Sequence, residues 1–266
     1  MIRDCAEIVE QIAEEIRARV DVAVIGLSGG ADSSLTAILC SHALGEDNVY
    51  GVSMPHNNTD RETFNAASAV LAEKLGVNHL VRPVRAVSDA IDGLITVETA
   101  SRPSKVNAGN SRSRARMCVL YGIAHDLADS MRGKRVRVIG TGNLSEDYIG
   151  YDTKGGDALA DLFPIGELLK SEVYQLLEHF RDLGVIGEKN INRVPSAGLE
   201  DGQTDEGDLG YSYNEMEKAV KFCMANSDSI DVDALDEVTR FVWERHLKHA
   251  HKHQAPPVLA LRSYCD

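Results

Sequence analysis

Ile8, Val9, Ile12, Ala13 and Ile16 recur at steps of three and four, the spacing of one apolar helical stripe, and predict an amphipathic first helix. The continuous apolar run at 22–27 reads as a buried strand, because a Gly-rich turn bounds it. Residues 32–44 return to helical character and are stopped by Gly45. A second strand is predicted over 49–54, ended by Pro55, then a helix over 59–75 closed by Gly76, then a third strand over 78–84. A polar stretch at 102–110 precedes a helix over 112–131 and another buried strand over 135–140. Residues 141–164 are rich in Gly and Asp and read as a long loop, a feature that in a folded domain is usually functional. Further helices are expected over 166–183, 213–224 and 232–249.

Strands alternating with helices over short connections imply a parallel sheet covered on both faces. The expected fold is therefore α/β, a doubly wound parallel sheet flanked by helices, Rossmann-like. One domain is expected over 1–266, with 1–165 mainly the α/β core and 166–266 mainly helical. No internal repeat or low-complexity tract interrupts it.

Composition narrows the partners. The 266 residues are 43% hydrophobic and 26% charged, with a formal net charge of −13. That balance suits a folded domain and disfavours a nucleic-acid partner, which attracts clustered Lys and Arg. It also repels anionic small molecules, so any nucleotide site must be locally basic. No apolar run approaches the roughly 20 residues needed to span a bilayer, so no membrane role is expected. Arg3, Asp4 and Glu7 break any signal-peptide pattern, which makes cytoplasmic residence the expectation. Cys5, Cys40, Cys118, Cys223 and Cys265 lack metal or redox spacing and are expected to be reduced thiols.

The candidate chemistry begins where the first strand ends. Gly26, Leu27, Ser28, Gly29, Gly30, Ala31, Asp32, Ser33 and Ser34 run from a strand through a glycine bend into a helix. Glycines let the backbone approach an anion, and the helix start offers N–H groups and a positive dipole end. The bend lacks the Lys-Ser/Thr of a Walker loop and the GxGxxG spacing, so a simple N-capped turn is the competing reading.

Ser28 to Ser33 resembles the SGGxDS loop of the ATP pyrophosphatase superfamily (adenine nucleotide alpha hydrolase-like), which grips the pyrophosphate of ATP. Further segments, in order, resemble the ammonia-dependent NAD synthetase family over nearly the whole chain. They are Asn110–Met117 with Tyr121, Gly140–Glu146, Gly150–Asp157, Asp161–Ile165, Lys170, Pro195–Ala197, Thr204–Glu206 with Gly210, Tyr211 and Tyr213, and His251–Lys252 with Pro256–Pro257.

The resemblance implies ATP-dependent amidation of deamido-NAD with ammonia, through an acyl-adenylate, giving NAD, AMP and pyrophosphate. It implies Mg²⁺ on Asp32 and Glu146, with ATP at the glycine bend, Thr141, Lys170 and Ser196. Deamido-NAD would meet Arg114, Lys154, Asp161, His251 and Lys252, and Asp32 and Lys170 would be catalytic. A homodimer is also implied. The glutamine-dependent relatives carry an additional glutaminase domain for which this length leaves no room, so free ammonia is the expected nitrogen source.

Without the likeness, Arg112, Arg114 and Arg116 read as a solvated helix face, and Glu146 and Lys170 as surface charges. His249 and His253 are four apart, but no HExxH or cysteine pattern accompanies them, so no transition metal is expected. Tyr211 and Tyr213 read as packing residues with satisfied hydroxyls. Gly155 stands where the family often has a bulky residue, which predicts a more mobile loop. Ser196 replaces a frequent Thr and His253 a frequent Arg. The alternatives are another adenylating amide-forming or thiolation enzyme, or a non-catalytic nucleotide sensor.

Overall fold

The computed structural model describes residues 1–56, 58–95, 103–187 and 205–259. Four strands form its sheet: β1 (Val22–Gly26), β2 (Val49–Ser53), β3 (Asn78–Val81) and β4 (Val136–Ile139). All pairs are parallel, in the order β3-β2-β1-β4, and Val24 lies between Tyr50 and Val138.

The helices preceding and joining the strands are α1 (Cys5–Arg19), α2 (Ala31–Leu44), α3 (Asn58–Leu75), α4 (Arg85–Ile95) and α5 (Lys105–Ser130). The chain winds outward from β1 through α2 and α3 to β3. It then returns through α4 and α5 to lay β4 on the other side of β1. That reversal opens a crevice at the carboxyl ends of β1 and β4, where doubly wound sheets take ligands.

Alternating side chains explain the two buried layers. Ala23 and Ile25 of β1 pack with α1 and α2, whereas Val22 and Val24 face Ala115, Leu120 and Ala124 of α5. Beyond the sheet come α6 (Leu144–Tyr148), α7 (Lys170–Asp182), α8 (Asp205–Leu209), α9 (Tyr213–Asn226) and α10 (Glu237–His249). Although α7 falls in the half expected to be a helical addition, its Val173, Leu176 and Leu177 belong to the sheet's own core. A separate cluster joins Ile149, Leu169, Tyr213, Met216, Val220 and Val242.

Several boundaries differ from the pattern reading. The third strand stops at Val81, and α4 follows it unheralded. The polar stretch before residue 112 is helix: Ser104 caps α5 by accepting the Asn107 N–H at 3.2 Å. Residues 166–169 are turn, so α7 begins at Lys170. A 3-10 turn at Val232–Ala234 precedes α10, which Asp236 caps. The long 141–164 loop contains α6 and then returns to the sheet, where Leu162 bridges Ile139 in parallel.

Candidate active site

The loop after β1 turns tightly and is held by its own hydroxyls. Gly29 has φ +76°, and a Cβ there would sit 2.8 Å from that of Ala67, so only glycine makes this turn against α3. Ser28 Oγ accepts the Gly30 N–H at 3.2 Å and lies 3.0 Å from Ser33 Oγ, which holds the bend shut upon itself. Gly30 is the N-cap of α2 and provides no side chain to the helix's first N–H groups. Asp32 follows in the first turn, where the dipole favours a carboxylate.

The loop after β4 supplies the opposite wall. Asn143 caps α6 by accepting the Glu146 N–H at 3.2 Å, and its Nδ2 donates to Asp32 Oδ1 at 2.9 Å. One amide thus ties the two loops together across the crossover.

Lys170 completes the arrangement. Its Nζ donates to Asp32 Oδ2 at 2.6 Å and to Glu146 Oε1 at 2.8 Å, and the residue is 3% exposed. A cation in the first turn of a helix opposes the dipole, so the carboxylates must stabilise it. Burial alone would depress Lys170, but Glu146 and Asp32 outweigh it and hold the ammonium above the usual lysine range. Glu146 is pushed up to about 7, chiefly by burial, with Lys170 opposing and Asp32 adding to the rise.

The Tyr213 ring lies 5.3 Å from Lys170 Nζ, and its hydroxyl is 3.1 Å from both Glu146 Oε1 and Asp205 Oδ2. The point on which Asp32 and Glu146 converge is filled by the Lys170 ammonium; their oxygens are nonetheless the hard donors that a divalent cation bound with phosphates takes.

These groups border a cleft of about 1470 Å³. Among the described residues, nine Lys and Arg line it against six Asp and Glu, although the whole chain carries 28 and 41. The local field is therefore reversed, which resolves the conflict between an acidic chain and an anionic ligand.

Of the residues singled out in the sequence, Gly26, Leu27, Ser28, Gly30, Ala31, Asp32, Thr141, Glu146 and Lys170 border the cleft. Arg114, Lys154, His251 and Lys252 do too, while Gly29 and buried Ser33 shape the bend from behind. Ser196 lies outside the described residues. Asp161 stands outside the cleft lining: its Oδ2 accepts the Val138 N–H at 2.8 Å and its Oδ1 the Tyr121 hydroxyl at 3.2 Å, where the returning chain pairs with the outer side of β4.

The 150–157 loop is tied down, not loose. Thr153 donates its N–H to Asp157 at 2.7 Å and its hydroxyl to Asn110 at 2.8 Å, and Asp157 is bonded in turn to Ser113. Gly155 adopts φ +75°, a left-handed conformation that favours glycine. The tail folds over this loop. Lys154 Nζ donates to the His251 carbonyl at 2.8 Å, Lys252 Nζ to those of Gly150 at 2.7 Å and Asp152 at 2.6 Å, and His253 Nε2 lies 2.5 Å from Asp152. Asp147, Asp152 and His253 form one charged cluster, in which His253, not His249, takes part.

Asn143, Asp205 and Tyr213 also border the charge pair, although sequence spacing gives them no site role. Asn143 had a readable signal, an amide three residues before a carboxylate at a helix start. Tyr213 was read as packing, and its hydroxyl is indeed satisfied, but by the carboxylates of the site. The cysteines among the described residues, Cys5, Cys40, Cys118 and Cys223, are free thiols.

A doubly wound sheet whose crossover opens onto a basic cleft, with a glycine bend at its rim, defines an α/β nucleotide-binding class with the adenine nucleotide alpha hydrolase-like fold. Comparison with known proteins narrows this further. A family model described as NAD synthase matches residues 1–256, and the chain belongs to that family.

The NH(3)-dependent NAD(+) synthetase of Methanocaldococcus jannaschii is 37% identical over 260 residues, which cover 94% of this chain and 95% of that one. Its counterpart from Methanosarcina mazei is also 37% identical over 260 residues, with the same two shares. Among solved structures, the NMN synthetase from Francisella tularensis superposes with a TM-score of 0.76 at 27% identity, covering 97% of this chain and 100% of that one. The NH3-dependent NAD synthetase from Campylobacter jejuni, solved with a nitrate ion, gives 0.70 at 27%, with the same coverage.

Proposed function

We propose that the chain catalyses ATP-dependent amidation of deamido-NAD with ammonia, releasing NAD, AMP and pyrophosphate. The supporting observation is the Lys170 ammonium held between Asp32 and Glu146, beside a glycine bend and at the crossover of the sheet, in a member of the NAD synthase family.

A carboxylate has no good leaving group near neutral pH, so it must be activated. Its oxygen attacks the α-phosphorus of ATP, the bond to the β-phosphate breaks, and pyrophosphate leaves. The nitrogen lone pair of ammonia then attacks the acyl carbon of the adenylate. AMP departs with the electrons of the C–O bond, and the surplus proton passes to solvent.

The N–H groups of the first turn of α2, which no side chain caps, receive the outer phosphates. Lys170, kept protonated by its two carboxylates, neutralises charge that develops on the departing group. Asp32 and Glu146 would hold Mg²⁺, which would supply further neutralisation of the phosphates. Arg114, Lys154, His251 and Lys252 meet the dinucleotide, Arg by paired hydrogen bonds and Lys by point charge. Catalysis is positioning and electrostatics, without a covalent nucleophile.

A homodimer belongs to this reading. Sedimentation at micromolar concentration tests it. Cytoplasmic residence also belongs to this reading; among the described residues no helix is long and apolar enough to cross a membrane.

The test is NAD formation by the purified chain from deamido-NAD, ATP, ammonium and Mg²⁺. AMP and pyrophosphate should appear in equal amounts, and ADP with orthophosphate would overturn the mechanism. Glutamine should not replace ammonium. The likeness to an NMN synthetase supports a second reading, in which the acceptor is the mononucleotide carboxylate. Competition between the two acceptors, read as a ratio of kcat/KM, decides.

A further inference from the structure

Glu217 is a buried carboxylate that the reaction as described leaves without a role. It lies on α9, is 5% exposed, and faces the start of α7. Its Oε1 accepts the Ser171 N–H at 2.8 Å and the Ser145 hydroxyl at 3.2 Å, and its Oε2 accepts the Ser171 hydroxyl at 2.6 Å. Ser145 Oγ in turn accepts the Lys170 N–H at 3.0 Å. Burying a carboxylate costs several kcal/mol unless it is fully bonded, and here three donors and the positive end of α7 compensate.

The position of this carboxylate is what matters. Ser145 precedes Glu146 on α6, and Ser171 follows Lys170 on α7. One side chain on a third helix therefore grips the immediate neighbours of both partners of the Lys170–Glu146 pair. Side chains at a reacting centre work only when a surrounding shell locks them to within fractions of an ångström.

We propose that Glu217 is a positioning residue: the Ser145–Glu217–Ser171 clamp sets the backbone of α6 against that of α7, and so fixes where Lys170 and Glu146 present their charges. The inference rests on the proposed reaction, whose own failure would show as absence of NAD formation by the wild-type chain. Ser145 lies in a segment that resembles the family, but Glu217 lies in no such segment. Nothing in the sequence marks it beyond a charge on the buried face of α9, between Met216 and Val220.

The experiment uses the full chain and compares Glu217→Gln with wild type, well below either melting temperature. Gln preserves the shape but replaces one acceptor with a donor opposite Ser171. Turnover should fall about 10-fold or more while the KM for the dinucleotide stays within about twofold, since the clamp acts on the charge pair and not on the acceptor subsite. Hydrogen exchange should speed up in 143–148 and 168–173 and remain unchanged in β1 to β3.

The decisive arm adds Lys170→Ala. If Glu217 acts through Lys170, the double variant turns over as slowly as Lys170→Ala alone, whereas independent roles make the two losses multiply. Multiplying losses, or a Glu217→Gln kcat within about twofold of wild type, would overturn the proposal. Should Glu217→Gln fail to fold, Ser171→Ala removes only one hydroxyl of the clamp. It should lower kcat in the same direction, and an unchanged kcat there would equally overturn it.

Discussion

Lys170 and Asp32 are 138 residues apart in sequence, yet the lysine Nζ lies 2.6 Å from the Asp32 carboxylate. The bond joins the start of α7 to the start of α2, and Glu146 meets the same ammonium from α6 at 2.8 Å. Three elements thus deliver opposite charges to one point at the crossover of the sheet.

Lys170→Met should lower kcat by about 10²- to 10³-fold, the usual loss when one preorganised electrostatic group is removed. Because it also leaves two carboxylates facing each other, the melting temperature should drop. Steady-state kinetics with a parallel thermal melt measures both, and an unchanged kcat would remove Lys170 from the chemistry.

Asp32→Asn should abolish turnover without unfolding the chain, since the amide retains an oxygen able to accept from Asn143. Circular dichroism together with an NAD-formation assay checks the pair. Near-normal activity would exclude Asp32 as a metal ligand.

Gly29→Ala forces a side chain into positive φ, at about 1–2 kcal/mol, and presses it on Ala67 at 2.8 Å. The bend must then shift away from α3. The KM for ATP should rise at least several-fold, alongside a measurable loss of stability in urea titration.

Asp161 separates two roles. Its contacts tie down the N–H of an edge strand, whereas the family likeness gives it a place against the dinucleotide. Asp161→Asn keeps an oxygen for Val138, so stability should be nearly preserved. A raised KM for deamido-NAD would support the binding role, and unchanged kinetics would leave only the structural one.

The tail carries a pH dependence. His253 is raised above its ordinary value, first by its hydrogen bond to Asp152. A group raised on folding contributes stability that is complete below its unfolded value, about 6.5, and is lost as pH climbs through the folded one. Nearby Asp147, pushed up to about 7 mainly by burial, acts in the same direction. Asp152 is lowered: burial opposes its charge, but His253 and Lys252 outweigh it, so its contribution fades only on the acid side. The melting-temperature difference between wild type and His253→Gln should therefore be largest near pH ~6 and shrink toward pH ~9. A difference independent of pH would mean that the imidazole merely packs.

What was legible in the sequence was local. The strand, glycine bend and helix at 22–44 are adjacent in the chain, so spacing alone conveys them, and the alternation of elements conveys a parallel sheet but not its strand order. The start of α5 was hidden because Gly109 and Asn110 are poor helix formers, placed there because Asn110 must reach Thr153. The start of α7 was misplaced by four residues, which concealed that Lys170 occupies a helix N-terminus. Glu217 and Tyr213 were unreadable as site residues, since their partners at 146 and 171 are neighbours only after α9 has packed. Asp161 shows the opposite case: its segment matches the family, but its observed bonds go to the sheet.

The charge triad is drawn from residues 32, 146 and 170, and α9 must pack behind it before the pair is clamped. A chain still leaving the ribosome therefore owns its glycine bend long before it owns a lysine to work against it. On the reading proposed above, nascent or half-folded copies would have no competent centre with which to squander ATP, and activity would arrive only with completion of the fold.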